Sequence, residues 1–288
     1  MCVTNHDFGG RGGPHVLLAH ANGFPPTAYR RFAVPLLDRF RVWGMYQRPF
    51  WPAARSEELR DWHVLGDDVV RLIEANGLDG IVGIGHSLGG VAMMYAAIQR
   101  PDLIQALVLI EPVFLPPALL EEIRREPETA VDRLPLCRIA MNRRWRWPSP
   151  AAAFHHWRSK AVFARVPDDV LWDHVFGALR EAGDGSGTVE LACPPEWESR
   201  IHATAPTDVW ACIPRITQPT LGIRGALTDT IAPEEWNRWQ RLQPAATFRE
   251  VAGVGHLLPL EVPEAVAAVV GDWLADIRGR QVHGAAMR

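Results

Sequence analysis

Ser87 lies within a short pattern that could make a serine hydroxyl reactive. Residues 85–89 read Gly-His-Ser-Leu-Gly and fit the G-x-S-x-G nucleophile elbow. The apolar run that begins at Gly80 predicts a buried strand, and the Ala- and Met-rich run after the serine predicts a helix that stops at Pro101. Glycines flank the serine because side chains there would collide in so sharp a turn. The hydroxyl would then stand at the carboxyl end of a strand, beside a helix N-terminus that favours negative charge, which predicts a serine nucleophile.

His256 is the histidine best placed to act as a base for this serine. A serine hydroxyl is a poor nucleophile unless a base takes its proton and a carboxylate orients that base. Among 11 histidines, His256 lies between the last predicted strand, residues 247–251, and the last predicted helix. Gly253 and Gly255 precede it and would let the loop turn the ring toward the edge of the sheet. We expect His256 to be the general base, the alternative being a loop histidine without a role.

Two carboxylates are candidates for orienting the histidine. Asp229 follows a predicted strand at residues 220–223 and could reach the Nδ1–H group from the carboxyl end of that strand. An Asx turn or a helix N-cap would be its alternative role. Glu111 ends the strand that follows the nucleophile strand and could approach the same ring from the other side. We expect Asp229 to be the acid and keep Glu111 as its competitor.

A reaction at a carbonyl carbon also needs backbone donors for the negative charge that develops on oxygen. The N–H group of Leu88, directly after the serine, is the first expected donor. The second is the N–H group of Asn22, in the loop after the predicted strand that ends near His20. We expect His20 to brace this loop by hydrogen bonding, and His86 to pack beside the serine without reacting.

Composition narrows the class of protein. The 288 residues are 48% hydrophobic, which is enough for one large α/β domain with an insertion. The net charge of -3 gives no reason to expect nucleic acid or an anionic membrane as partner. The four scattered cysteines predict reduced thiols, and the N-terminal residues carry no signal-peptide pattern, so we expect a cytoplasmic protein. No apolar run is long enough to span a bilayer. The histidines lack a ligand spacing for a metal, and we expect none.

The order of predicted elements gives the fold class. Strands and helices alternate over residues 1–111 and again over 216–288, with helices expected over 28–40 and 56–76. This alternation predicts an α/β fold, a mostly parallel sheet with helices on both faces. Residues 112–215 show helical segments and no clean apolar strand, so we expect an inserted helical cap, or lid, over the carboxyl ends of the strands.

These features resemble the α/β-hydrolase family. The resemblance covers nearly all of the predicted core, and its motifs occur in the family's order. Two departures are visible. Ala21 stands where the family usually has glycine, and the loop from Gly225 to Asp229 is one residue longer than the commonest form. The motifs that carry it are residues 20–24 (His-Ala-Asn-Gly-Phe), 85–90 (Gly-His-Ser-Leu-Gly-Gly), 225–229 (Gly-Ala-Leu-Thr-Asp) and 255–256 (Gly-His). The resemblance implies hydrolysis of an ester, a thioester or a related group through an acyl-enzyme, without a metal or organic cofactor. Serine at the elbow argues against the dehalogenase and epoxide hydrolase branches, which have aspartate there.

The expected substrate is a small-molecule ester with a small to medium apolar acyl group. We expect Phe24, Trp145, Trp147 and Leu257 to line its pocket, although most cap tryptophans would form the cap's own core. The basic run at residues 143–147 predicts an exposed end of a cap helix and not a nucleic-acid site. Two other functions stay open: a C–C bond hydrolase acting on a diketone, and a non-catalytic ligand sensor on the same scaffold. A homodimer is one option for the oligomeric state.

Overall fold

The computed structural model describes residues 4–125 and 134–286, with side chains up to residue 279. Seven strands form a main sheet in the order β1-β3-β2-β4-β5-β9-β10, and β6 to β8 form a second, small sheet. Only the pairing of β1 with β3 is antiparallel within the main sheet. The strands are β1 (Asn5–Gly9), β2 (His15–Ala19), β3 (Arg41–Met45), β4 (Ile81–His86), β5 (Ile104–Ile110), β6 (Arg146–Trp147), β7 (Leu179–Glu181), β8 (Val189–Leu191), β9 (Thr220–Gly225) and β10 (Thr247–Val251).

Helices cover both faces of the main sheet, as the α/β alternation predicted. The described helices are α1 (Arg30–Ala33), α2 (His63–Ala75), α3 (Leu88–Gln99), α4 (Pro117–Arg125), α5 (Pro135–Met141), α6 (Pro150–Arg158), α7 (Asp168–Ala178), α8 (Pro195–Ala203), α9 (Val209–Cys212), α10 (Pro233–Leu242), α11 (Leu258–Glu261) and α12 (Pro263–Ala286). Buried residues of α2, α3 and α10 pack on one face, and those of α1 and α12 pack on the other.

The strand that carries the elbow lies inside the sheet and is buried on both sides. β4 pairs with β2 on one side and β5 on the other, and all six of its residues are buried. Alternate residues of β5 face opposite cores, since Val108 belongs to one apolar cluster and Leu109 to the other. This burial explains why the sequence of these strands is a continuous apolar run and not an alternating one.

Two predicted core helices are shorter than their patterns suggested. The segment predicted as a helix over 28–40 is a chain of short turns: a 3₁₀ turn at Pro26–Tyr29, α1, and another 3₁₀ turn at Val34–Leu36. Pro35 removes a backbone donor there, which limits a regular α-helix. The helix predicted over 56–76 begins at His63, after a separate 3₁₀ turn at Ser56–Glu58.

The inserted segment between β5 and β9 contains α4 to α9 and also the small antiparallel sheet β6-β8-β7. No strand was predicted here because these strands are only two or three residues long, too short to show alternation. The division into a core and a cap at 112–215 stays a prediction.

Two further observations concern the chain as a whole. In the part of the chain that the structure describes, no helix combines the length and apolar character needed to cross a bilayer. Cys137, Cys193 and Cys212 are buried free thiols, and Cys2 lies outside the described residues.

Candidate active site

Ser87 occupies a strained turn between β4 and α3. Its φ of 56° and ψ of −118° place a non-glycine residue in the left-handed half of backbone space, an uncommon conformation that often marks functional sites. The flanking glycines are required by contact: a Cβ on Gly85 would lie 2.3 Å from the carbonyl oxygen of Gly89, and one on Gly89 would lie 2.1 Å from that of Ala19. The turn therefore presents the hydroxyl where the helix begins.

His256 bridges the serine and a buried carboxylate. Its Nε2 atom lies 3.0 Å from Oγ of Ser87, and its Nδ1 atom lies 3.2 Å from Oε2 of Glu111. The carboxylate accepts a hydrogen bond from Nδ1–H, so Nε2 of the neutral ring is unprotonated and can accept from the hydroxyl of Ser87. A base oriented by a carboxylate and aimed at a hydroxyl is the arrangement that activates a serine.

Glu111 is fully buried and held by donors from a neighbouring loop. The backbone N–H of Gly225 donates to its Oε1 at 2.7 Å, and the hydroxyl of Thr228 donates to its Oε2. Glu111 itself has a φ of 48°; among the described residues, only it and Ser87 combine a side chain with a positive φ. Both non-glycine outliers thus fall on residues that contact His256.

The expected pairing of His256 with Asp229 is not the one that the structure has. Asp229 is exposed, lines the pocket above the serine, and makes no hydrogen bond to His256 within the described residues. The loop at 225–229 directs its Gly225 N–H and Thr228 hydroxyl at Glu111, so this loop supplies donors and the carboxylate comes from the end of β5. The alternative acid from the sequence is the residue in contact.

The two expected oxyanion donors come from two different turns beside the serine. Leu88 is the first residue of α3, and Asn22 lies in the turn after β2, where Gly23 has a φ of 75° and the N–H of Phe24 donates to the carbonyl of Ala21 at 3.1 Å. Within the described residues, neither the N–H of Asn22 nor that of Leu88 has a protein acceptor. Both residues also line the pocket that contains Ser87. These N–H groups are thus available to an oxygen in that pocket.

A buried relay that the sequence did not predict joins the Asn22 turn to the base. The N–H of Ala21 donates to the hydroxyl of Tyr29 at 2.9 Å, and that hydroxyl donates to Nδ1 of His86 at 2.6 Å. The Nε2–H of His86 then donates to the backbone carbonyl of His256 at 2.9 Å. Since a carbonyl only accepts, this contact fixes the tautomer of His86. The residue expected merely to pack therefore ties two parts of the site together.

His20 and His86 are neutral because both are buried. Burial lowers the pKa of His86 well below its ordinary value, and the nearby His256 lowers it further. Burial likewise lowers the pKa of His20 to about 4. His20 donates from Nδ1 to the carbonyl of Ala21 at 2.7 Å and accepts the N–H of Gln47 at its Nε2 at 3.1 Å. It therefore braces the turn, as expected from the sequence.

The pocket over Ser87 has a volume of about 620 Å³ and is mainly apolar. Two of the four expected lining residues, Phe24 and Leu257, are part of it. Aliphatic side chains of the inserted segment, with Trp62 from the core, supply most of the remaining wall. Those of the inserted segment include Val113, Leu119, Leu136, Val162 and Ile201.

Trp145 and Trp147 do not line this pocket, contrary to expectation. Trp147 is 1% exposed and packs against Trp157, 5.2 Å between ring centroids, inside the inserted segment. Trp145 is 46% exposed, with the guanidinium of Arg146 over its ring. The two tryptophans flank Arg146: Trp147 lies in β6 and pairs with Val189 of β8, whereas Trp145 precedes the strand.

Among the described residues, no group of three or more His, Cys, Asp or Glu side chains is placed to hold a metal ion.

Comparisons with known proteins identify the family of this chain. A sequence model of the alpha/beta hydrolase family matches residues 16–269. The putative carbamate hydrolase RutD of Caulobacter sp. (strain K31) is 27% identical over 265 residues, which cover 90% of this chain and 90% of that protein. The crystal structure of E-2-(acetamidomethylene)succinate hydrolase superposes with a TM-score of 0.79 at 18% identity, covering 95% of each chain. A thermophilic esterase from Thermogutta terrifontis gives a TM-score of 0.69 at 24% identity, covering 96% of this chain and 93% of that one. The chain is an enzyme of the alpha/beta hydrolase family.

Proposed function

We propose that this enzyme is a serine hydrolase that cleaves carboxylic esters of small to medium apolar acyl groups through an acyl-enzyme. The observation that carries the proposal is the unbroken series of contacts from Ser87 through His256 to Glu111. The apolar pocket above Ser87 supports an apolar acyl group.

The first half of the reaction acylates the serine. His256 takes the proton of Ser87 at Nε2 as Oγ attacks the carbonyl carbon, and the buried carboxylate of Glu111 stabilises the imidazolium that forms. The N–H groups of Asn22 and Leu88 bind the oxyanion of the tetrahedral intermediate. His256 then returns the proton to the departing alkoxide, which leaves an ester on Ser87.

The second half regenerates the enzyme. A water molecule gives its proton to His256 and attacks the acyl carbon, and the second tetrahedral intermediate uses the same two N–H groups. Its collapse releases the carboxylic acid, and the proton on His256 returns to Oγ of Ser87. No group beyond these five residues and water is needed to balance the reaction.

Glu111 takes the role of the acid in this proposal, and Asp229 does not. The N–H of Gly225 and the hydroxyl of Thr228 both donate to the Glu111 carboxylate, and these donors fix its position beside His256. Asp229 is exposed at the pocket wall, where water screens its charge.

Two alternatives from the sequence have no observation that favours them, a C–C bond hydrolase on a diketone and a non-catalytic sensor. Both are outcomes of the test below. A cytoplasmic location and a homodimer likewise stay predictions from sequence.

The test combines a substrate series with a covalent probe. We expect p-nitrophenyl esters to be hydrolysed with a preference for short to medium acyl chains, and a fluorophosphonate to label Ser87. The Ser87→Ala variant should lose turnover by about four orders of magnitude or more, because no other group replaces the nucleophile. Absence of turnover at every chain length, or equal turnover by Ser87→Ala, would discard the esterase proposal. Absence of labelling would favour the sensor, and cleavage of a diketone in place of esters would favour the C–C hydrolase.

A further inference from the structure

A second cavity, which the proposed reaction does not use, adjoins the catalytic pocket. It has a volume of about 290 Å³ and is built largely from the inserted segment. Phe24, Val162 and Glu198 line both cavities, so the two share these side chains as a common wall. A substrate that fills the catalytic pocket and extends past Phe24 would therefore enter the second cavity.

The second cavity is basic. Arg143, Arg144 and Lys160 line it together with His156, and Glu198 is its one carboxylate. Glu198 is paired with Arg143, so the other two cations are not neutralised by it. The surplus of positive charge stands out in a chain whose net charge is -3.

Each of the two surplus cations is free to meet an anion. Arg144 donates from Nε to the carbonyl of Arg146 at 2.9 Å and lies over the ring of Trp147, and its other guanidinium N–H groups have no acceptor among the described residues. Lys160 is exposed and has no ion-pair partner among the described residues. It is also the single lysine of the chain, the other 29 basic residues being arginines.

Burial and the same cations lower the pKa values of two neighbouring histidines. The pKa of His156 is lowered by burial and then by Lys160, Arg144 and Arg143. Burial lowers the pKa of His174, beside Phe24, to about 3, and Arg143 contributes in the same direction. Three cations thus act together on the wall of one cavity. Arg146, by contrast, is paired with Asp184 and Glu190 and takes no part.

We propose that this cavity is an anion subsite, which binds a carboxylate or phosphate carried by the substrate beyond its apolar portion. The proposal rests on the proposed ester hydrolysis and narrows its substrate class: an apolar segment beside the scissile carbonyl, and an anionic end past Phe24. Lys160 and Arg144 supply the donors, and Glu198 orients the guanidinium of Arg143 toward the same space.

Matched substrate pairs test the proposal and distinguish the two sources of the anion. The first pair is the p-nitrophenyl monoester of a dicarboxylic acid and the p-nitrophenyl ester of a monocarboxylic acid of equal length. The second is an acyl thioester of phosphopantetheine and the same acyl thioester of N-acetylcysteamine. In at least one pair, we expect kcat/KM to favour the anionic member by about tenfold at low salt, and the preference to shrink toward 1 M salt, where the screening length is about 3 Å. The pair that shows it tells whether the anion lies on the acyl part or on the leaving group.

Variants locate the effect in the cavity. Lys160→Met and Arg144→Met should each lower the ratio of anionic to neutral kcat/KM by about threefold to fivefold. Arg241→Met removes the same charge from an exposed position of α10, outside both cavities, and should keep the wild-type ratio. The subsite is refuted if the wild type treats both members of both pairs alike, or if Arg241→Met lowers the ratio as much as Lys160→Met.

A binding measurement tests the anion subsite without relying on ester hydrolysis. In Ser87→Ala, acetylation of Lys160 by a neutral amine reagent is followed by peptide mass spectrometry, and the site is unambiguous because the chain has no other lysine. Glutarate or inorganic phosphate should slow acetylation of Lys160 by about threefold relative to chloride at equal ionic strength. Equal rates in all three salts would overturn the subsite whether or not esters are hydrolysed, whereas loss of ester turnover alone would overturn only the esterase.

Discussion

The two walls of the catalytic pocket are fixed in different ways. On the side of the main sheet, Ser87, Glu111 and His86 are held in place by backbone turns and by hydrogen bonds among groups that are almost completely buried. On the side of the inserted segment, aliphatic side chains such as Val162 contact the pocket while remaining 55% exposed, and the carboxylate of Glu198 is paired with Arg143.

We therefore expect the side of the main sheet to determine the reaction and the inserted segment to determine which substrates fit. A buried polar group that loses its partner keeps the full cost of desolvation, so few changes are tolerated around Glu111 or His86. An exposed aliphatic or a surface ion pair contributes little to stability, so the inserted segment is free to change the shape and charge of the pocket. The largest effects on turnover are therefore expected on the side of the main sheet.

Replacing Glu111 should damage turnover far more than replacing Asp229. Glu111→Gln keeps the size of the side chain but removes the charge that stabilises the imidazolium, and we expect kcat to fall about a thousandfold to ten-thousandfold. Asp229→Asn should change kcat by less than about tenfold, because Asp229 makes no hydrogen bond to His256 in the described structure. Steady-state kinetics on one p-nitrophenyl ester measure both. A larger loss in Asp229→Asn would restore Asp229 as the acid.

This pair of carboxylates shows where sequence reasoning was limited. The elbow at Ser87 and the loop of His256 are local patterns, so both residues could be named and the structure brings them together. Whether Glu111 or Asp229 reaches the ring depends on how residues 225–229 fold against the end of β5, a contact 114 residues apart in sequence. No local pattern contains that information.

The inserted segment shows a different limit. Trp145 and Trp147 have the same residue type and nearly the same sequence context, yet one is exposed and the other is buried. Trp147 lies in the two-residue strand β6 and pairs with Val189 of β8, whereas Trp145 precedes that strand. The fold class followed from long apolar strands and their alternation with helices, whereas strands this short gave no signal.

The two tryptophans give the next largest contrast, in stability. Trp147→Ala should lower the free energy of unfolding by about 3–5 kcal/mol, because it removes a buried ring that packs against Trp157. Trp145→Ala, the matched control, should change it by no more than about 0.5 kcal/mol. Denaturant unfolding of both variants measures the difference. Equal losses would mean that Trp145 is buried in solution, for example by a second copy of the chain.

Acid should weaken both regions through histidines that are buried in their neutral form. The folded-state pKa values of His174, His20 and His86 all lie below the ordinary value of 6.5. Above pH 6.5 the histidines stay neutral in both states and cost nothing. As the pH falls below 6.5, the unfolded chain binds protons that the folded chain does not, so each histidine costs about 1.4 kcal/mol per pH unit until its folded pKa is reached.

His174 isolates the contribution of the inserted segment to this acid response. It is 3% exposed among aromatic rings, with the centroids of Phe24 and Trp157 4.8 Å and 4.7 Å away, and its Nδ1 has no hydrogen-bond partner among the residues that the structure describes. His174→Phe should therefore reduce the loss of unfolding free energy between pH 6.5 and pH 4 by about 3 kcal/mol. His155→Phe, on the exposed surface of α6, is the control and should leave the slope unchanged. An identical slope in wild type and His174→Phe would show that His174 is already accessible to water.

The smallest expected effect tests whether the buried relay positions the base. Tyr29→Phe removes the hydroxyl that accepts from the Ala21 N–H and donates to His86, and both ends of the relay then lose a partner. His86 holds the backbone of His256, and Ala21 directly precedes the oxyanion donor Asn22, so kcat should fall about tenfold with KM nearly unchanged. The free energy of unfolding should fall by about 1–3 kcal/mol, because buried groups lose a hydrogen-bond partner. Tyr46→Phe is the matched control, since the hydroxyl of Tyr46 has no hydrogen-bond partner among the described residues, and it should leave kcat as in the wild type. A stability loss in Tyr29→Phe without any change in kcat would make the relay a structural feature only, since a group that aligns the base must act on turnover at saturating substrate.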